Sequence, residues 1–203
     1  MNYNKGLSEK AVDPDPFVQF DKWFKERLAS GIAIPNAVNF GTANVSGQVS
    51  VRTVLLKNFG KNGFVFFTNY NSKKGSQLSS NPRAALLFYW PESGRQIRIE
   101  GSADKVSEEE SESYFKTRPR ESQLSSCASE QSLVIPDRQY LEERYDFYKN
   151  KFKNKPVIKP QHWGGFRLVP DWFEFWQSGD FRLHDRIAYS KKKDSWIIER
   201  LAP

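Results

Sequence analysis

Residues 48–69 read QVSVRTVLLKNFGKNGFVFFTN. Two runs rich in Val, Phe and Thr, residues 48–58 and 64–69, flank Gly60-Lys61-Asn62-Gly63, so the stretch predicts two strands joined by a turn. The first run contains Arg52-Thr53-Val54-Leu55-Leu56-Lys57, basic at both ends. Side chains alternate along a strand, which places Arg52 and Lys57 on opposite sides, next to different neighbours. Taken alone, the segment reads as an edge strand carrying protective charges.

The same texture extends outward. Residues 38–45, 83–90 and 96–106 are further strands, the last two separated by the turn Pro91-Glu92-Ser93-Gly94. After residue 160 the chain returns to strands at 165–169, 172–177, 182–189 and 195–201. Helices fall between these groups. Phe17, Phe20, Phe24 and Leu28 recur at helical spacing before the stop at Gly31. Ser72 caps a short helix through Ser79 that Asn81-Pro82 ends, and Ser107-Glu108-Glu109-Glu110 is a capping box opening a helix to Thr117. Residues 120–130 and 137–152 are two more helices, and the basic, proline-containing residues 149–160 a loop. Short strands at close spacing with segregated helices predict an α+β fold on an antiparallel barrel or sandwich, not a doubly wound parallel sheet.

Composition narrows the function classes. The 203 residues are 38% apolar and 27% charged, and no apolar run approaches the roughly 20 residues of a membrane span. Residues 1–15 are polar, lack the apolar core of a secretory leader and are expected to form a mobile tail, leaving residues 16–203 as one domain. A single cysteine, Cys127, excludes an internal disulfide framework and suits a reducing, cytoplasmic setting. The net charge of +7 implies anionic partners without separating nucleic acid from small phosphates. Lys191-Lys192-Lys193 reads as a solvated hairpin turn, and the 15% aromatic content as a large core or a subunit interface.

No glycine-rich dinucleotide or P-loop motif occurs, so any bound phosphate is held by side chains and helix starts. One cysteine and two distant histidines make a zinc site improbable, and no nucleophile elbow is present. What remains are cations beside hydroxyls. Thr68-Asn69-Tyr70-Asn71-Ser72-Lys73-Lys74 sets two lysines at a helix N-terminus. Tyr114 and Arg118 lie four apart with Ser122 beyond Pro119, a set able to converge on one phosphate, or equally a helix C-terminus with favourable cations. In WQSGDFRLHDR, residues 176–186, a strand would align Arg182, His184 and Arg186 on one face. Such a row repels itself unless it meets an anion or solvent.

Read together, these stretches resemble the pyridoxamine 5′-phosphate oxidase family. The resemblance rests on Arg52 to Lys57, Phe67-Thr68-Asn69, Ser72-Lys73-Lys74, Arg95-Gln96, Tyr114-Phe115, Arg118-Pro119-Arg120-Glu121-Ser122-Gln123 and Glu130-Gln131-Ser132. It continues through Trp163-Gly164-Gly165-Phe166-Arg167, Glu174-Phe175-Trp176-Gln177, Arg182-Leu183-His184-Asp185-Arg186 and residues 196–203, covering almost the whole chain. It implies an antiparallel FMN-binding split barrel with flanking helices, acting as a homodimer with FMN at the subunit interface. By position, Arg52, Thr53, Val54, Leu55, Leu56, Lys57, Phe67, Thr68, Lys73 and Lys74 would line FMN. Gln96, Gln131, Ser132, Trp176 and Arg186 would complete the site, several of them from the other chain. Lys57, Tyr114, Arg118 and Ser122 match the substrate-phosphate residues, and Arg182 and His184 the catalytic pair over the pyridine ring. Lys73 departs from the family's more frequent arginine, keeping the charge but losing the bidentate fork.

The implied activity is oxidation of pyridoxamine or pyridoxine 5′-phosphate to pyridoxal 5′-phosphate, with O₂ reduced to peroxide. Two other readings compete. Another flavin oxidase or a flavin reductase of the same superfamily would share the barrel but lack the substrate residues. A basic, aromatic-rich nucleic-acid-binding barrel would need stacking motifs that are absent here.

Overall fold

The computed structural model describes residues 6–203. Helix α1 (Pro16–Ala29) precedes strands β1 (Ala37–Ala43), β2 (Val49–Leu55), β3 (Asn58–Gly60) and β4 (Gly63–Asn69). Helix α2 (Lys73–Ser80), strands β5 (Arg83–Trp90) and β6 (Arg95–Lys105), and helices α3 (Glu108–Thr117), α4 (Arg120–Ala128) and α5 (Arg138–Lys151) follow. Strands β7 (Trp163–Gln177), β8 (Asp185–Lys192) and β9 (Ser195–Arg200) close the chain. The strands form one antiparallel sheet in the order β2-β1-β5-β6-β7-β4-β3, with β8 added to β7 and β9 to β8. Among the described residues no helix is long and apolar enough to cross a membrane.

Strand β7 is where the sheet divides. One of its edges follows β6 along the whole length of that strand. On the other edge its first part, Trp163 to Leu168, pairs with β4, and its last part, Trp172 to Gln177, pairs with β8. The change of partner falls at Pro170-Asp171, opposite a slip in the β6 ladder between Glu100 and Gly101. Proline has no N–H to give a ladder, and a bulge is where a sheet accepts it. Residues 165–169 and 172–177, expected as two strands, are therefore one bulged strand. Gly101 makes the bulge sterically feasible, because a Cβ there would lie 2.1 Å from the Val169 carbonyl oxygen. Gly101→Ala is expected to cost about 3 kcal/mol. The check is the denaturant midpoint at constant m-value, and a loss below about 1 kcal/mol would show the bulge to be soft.

Asp15 caps α1 by accepting the Phe17 N–H at 2.9 Å, with Pro16 in the first turn. The helix buries Phe20, Trp23 and Phe24 on one face, and their rings meet Phe59, Phe64, Phe88 and Phe175 of the sheet. Each such burial stabilises the fold by about 2 kcal/mol. A second cluster, Phe115, Leu124, Cys127, Phe152, Val157 and Trp163, holds α3, α4 and α5 against the start of β7. The aromatic excess is thus largely core.

Several expectations need correction. Residues 6–15 are tied to the body: the Leu7 N–H donates to Asp185 at 2.9 Å, the Tyr189 hydroxyl donates to the Asp13 carbonyl at 2.7 Å, and Val12 is buried in the core. A mainly polar composition hid the two apolar anchors, Leu7 and Val12. The rest of the expected tail, residues 1–5, lies outside the described residues. The strand expected over 182–189 starts only at Asp185. Residues 180–182 form a 3₁₀ turn in which Phe181 and Arg182 take φ of 54° and 64°. Left-handed backbone destroys the alternation a strand would supply, so Arg182, His184 and Arg186 do not form one row.

Candidate functional site

A cleft of about 710 Å³ opens where β2, β4, the start of α2 and the α3–α4 junction meet, a size typical of small-molecule sites. Strand β2 contributes Arg52, Thr53, Val54 and Leu55, and β4 contributes Phe67 and Thr68. Lys73 and Lys74 open α2, where Ser72 caps the helix by accepting the Gly75 N–H. Tyr114, Arg118 and Ser122 come from the α3–α4 junction, and Gln131 and Ser132 from the segment after α4. Arg52 and Lys57 face this same cleft, contrary to the parity argument. Strand β2 ends at Leu55, and Lys57, whose N–H donates to the Val65 carbonyl at 2.8 Å, sits in the break before β3, where alternation lapses. Leu56 turns the other way and is only 4% exposed in the core.

Five cations therefore share one cleft: Arg52, Lys57, Lys73, Lys74 and Arg118. No Asp or Glu lines it, and among the described residues none of the five has a carboxylate within ion-pair distance. Elsewhere arginines are matched, as in Arg98 with Glu174 and Arg167 with Glu110. Lys74 is the extreme case at 8% exposure. Its Nζ donates to Thr68 Oγ1 at 3.0 Å, Gln131 Oε1 at 3.1 Å and Ser72 Oγ at 3.2 Å, all neutral acceptors. Burial, with Arg52 adding repulsion, pushes the ammonium down to about 8. The unfolded chain keeps that proton up to about 10.5, so the stability of the ligand-free protein rises with pH between the two values.

Arg52 is held by Thr42 Oγ1 at 2.6 Å and the Phe40 carbonyl at 3.1 Å. Arg118 lies over the Trp163 ring at 4.7 Å, and burial lowers the pKa of both guanidiniums. Beside these charges Phe67 stacks on Tyr114 at 3.9 Å and on Trp163 at 5.4 Å, nearly parallel in both cases. Among the described residues the cleft thus offers cations, hydroxyls, one amide and flat apolar faces, with no carboxylate, histidine or cysteine. Its chemistry is the binding and orientation of anionic, ring-bearing molecules. No cluster of three potential metal ligands occurs among the described residues.

The remaining expected residues gather elsewhere. Gln96 pairs with Trp176 across β6 and β7, and Trp176 pairs with Arg186 across β7 and β8, so the three share a face. The Trp176 and His184 rings are 4.7 Å apart. Arg186 grips the buried Glu174 with two nitrogens, at 2.7 and 3.1 Å, and gives Nη1 to the Ala202 carbonyl at 2.8 Å. His184 Nδ1 accepts the Gly179 N–H at 3.1 Å, which leaves Nε2 to carry the proton of the neutral ring. Arg182 is exposed. None of these residues, nor Leu56, lines the cleft of its own chain. Conversely, Thr117, Pro119 and Trp163 line it without having been assigned a role in the site. Trp163 is buried in the second aromatic cluster, and its nearness in space to Arg118 reveals its second surface.

Comparison with known proteins agrees with this geometry. Residues 24–146 match the family model described as pyridoxamine 5′-phosphate oxidase, and residues 163–203 that of the pyridoxine 5′-phosphate oxidase C-terminal dimerisation region. The chain is 50% identical over 200 residues to a pyridoxine/pyridoxamine 5′-phosphate oxidase of Nostoc sp., spanning 98% of this chain and 94% of that one. It is 52% identical over 209 residues to the chloroplastic pyridoxine/pyridoxamine 5′-phosphate oxidase 1 of Arabidopsis thaliana, covering all of this chain and 39% of that longer protein. Among solved structures, PhzG from Burkholderia lata, in complex with tetrahydrophenazine-1-carboxylic acid, superposes with a TM-score of 0.92 at 27% identity over 98% of both chains. The divided sheet is that of the FMN-binding split barrel.

Proposed function

The chain belongs to the pyridoxamine 5′-phosphate oxidase family, and on that premise we propose that its cleft binds FMN and a phosphorylated B6 vitamer side by side. The protein is an oxidoreductase that converts pyridoxamine or pyridoxine 5′-phosphate to pyridoxal 5′-phosphate. The amine with O₂ and water gives the aldehyde, ammonia and hydrogen peroxide; the alcohol with O₂ gives the aldehyde and hydrogen peroxide. The observation that carries the reading is the acid-free cleft with five unmatched cations, since two phosphate monoesters supply the missing negative charge.

Arg52, Thr68, Lys73, Lys74, Gln131 and Ser132 would hold the flavin, and Lys57, Tyr114, Arg118 and Ser122 the substrate phosphate. A bound flavin would supply the redox chemistry, the transfer of two electrons from the substrate carbon to O₂. The protein binds, orients and excludes water, consistent with a cleft lined, among the described residues, by no histidine, cysteine or carboxylate. Gln96, Trp176, Arg182, His184 and Arg186 lie outside the cleft of their own chain and complete the site of a second copy, which makes the working unit a homodimer.

Two results test this. Aerobic incubation of the flavin-loaded protein with pyridoxamine 5′-phosphate is expected to yield aldehyde and peroxide in equal amounts; a protein that stays colourless with added FMN and makes no aldehyde contradicts the proposal. The second is a pH dependence. A phosphate dianion near Lys74 favours the ammonium, so binding takes up a proton above pH 8. FMN affinity is expected to fall by up to about tenfold per pH unit from there, and Lys74→Arg to flatten the slope. A flat wild-type titration between pH 8 and 10 would remove Lys74 from the phosphate site.

A further inference from the structure

We infer that Ser126 is a positioning residue for phosphate recognition, locking Arg118 and Ser122 into one hydrogen-bonded unit. The inference rests on the proposed function, in which both partners face the substrate phosphate. Ser126 lies one turn beyond Ser122 on α4 and is outside the lining of the main cleft. Its hydroxyl donates to the Ser122 carbonyl at 2.9 Å. That bond uses the only hydroxyl proton, which leaves the oxygen lone pairs to accept from Arg118 Nη1 at 2.6 Å.

Among the described residues, this contact is the one side-chain hydrogen bond of the Arg118 guanidinium. Trp163 supports the flat face of the same group, and among the described residues no carboxylate lines the cleft to fix its direction. A second cavity of about 230 Å³, lined by Arg118, Ser126 and Trp163 among others, adjoins this group. Without the hydroxyl, the guanidinium can turn toward that space. The carbonyl of Ser126 is itself within 3.2 Å of His162 Nε2, which ties this turn of α4 to the segment before β7. Ser126 therefore sets the aim of an arginine that would otherwise be steered only by ring stacking.

The test compares wild type, Ser126→Ala and Ser126→Thr as flavin-loaded proteins with pyridoxine 5′-phosphate and with pyridoxine, which lacks the phosphate. The alanine variant is expected to raise KM for the phosphorylated substrate about tenfold, with kcat within about twofold and flavin affinity unchanged. Equilibrium titration by tryptophan fluorescence should show the same loss for the phosphorylated ligand and none for pyridoxine, and threonine should restore it. Equal effects on both ligands, or an alanine variant with wild-type KM, would overturn the role of Ser126 while leaving the oxidase reading intact. A flavin-loaded wild type that neither binds nor oxidises pyridoxine 5′-phosphate would instead overturn the oxidase reading and the inference together.

Discussion

Lys74→Met is expected to weaken FMN binding by about two orders of magnitude while leaving the ligand-free protein as stable as wild type or more so. The two halves have one cause. Lys74 is an ammonium in a nearly water-free position with only neutral acceptors, and its lowered pKa records the cost of keeping it charged. Methionine fills similar volume without the charge, so the empty fold loses a burden. The bound phosphate loses a desolvated charge-assisted contact, worth about 3 kcal/mol at such sites. Flavin titration and thermal denaturation of the ligand-free protein check both halves. A variant that binds FMN as wild type does, or whose ligand-free form melts well below wild type, would show that Lys74 is structural.

Arg182→Ala is expected to leave flavin loading unchanged and to lower kcat by about 10²- to 10³-fold, the range seen when one directed charge is removed from a reacting centre. The motive is conformational. Phe181 and Arg182 both adopt left-handed backbone, and Phe181 is 93% exposed, so burial of its ring does not compensate the strain among the described residues. A segment held in that shape presents Arg182 outward, which suits delivery to the cleft of a second copy. Single-turnover rates at saturating substrate check this against binding. Loss of flavin with normal turnover per remaining flavin would place Arg182 on the cofactor side instead.

How much of this was readable from residues alone differs by element. The strands around the Gly60–Gly63 turn and the caps at Ser72 and Ser107 follow from local rules that tertiary packing did not override, whereas local rules read Arg52 and Lys57 as protective edge charges and left the Tyr114, Arg118 and Ser122 set open between a phosphate site and a helix C-terminus. Parity failed at Lys57 and again at Arg182 for the same reason: alternation holds only inside a strand, and both residues stand just outside one. The single strand β7 was read as two because Pro170 usually ends a strand, and only the register with β6 reveals the bulge that accommodates it. Trp163 and Ser126 were invisible as site residues because their roles depend on where Arg118 points. Family resemblance supplied what no local rule could, the proposal that Gln96, Trp176, His184 and Arg186 serve the cleft of a second copy, since they do not line that of their own chain.

The most direct test of the central claim is anaerobic. Pyridoxamine 5′-phosphate added to the flavin-loaded protein in the absence of O₂ should bleach the visible flavin band, with one aldehyde formed per flavin, and admission of air should restore the colour. Unphosphorylated pyridoxamine at the same concentration should bleach it far more slowly, because the cations of the cleft then have no second phosphate to orient. Absence of bleaching, or equal rates with both amines, would contradict the assignment of the unmatched cations to two bound phosphates.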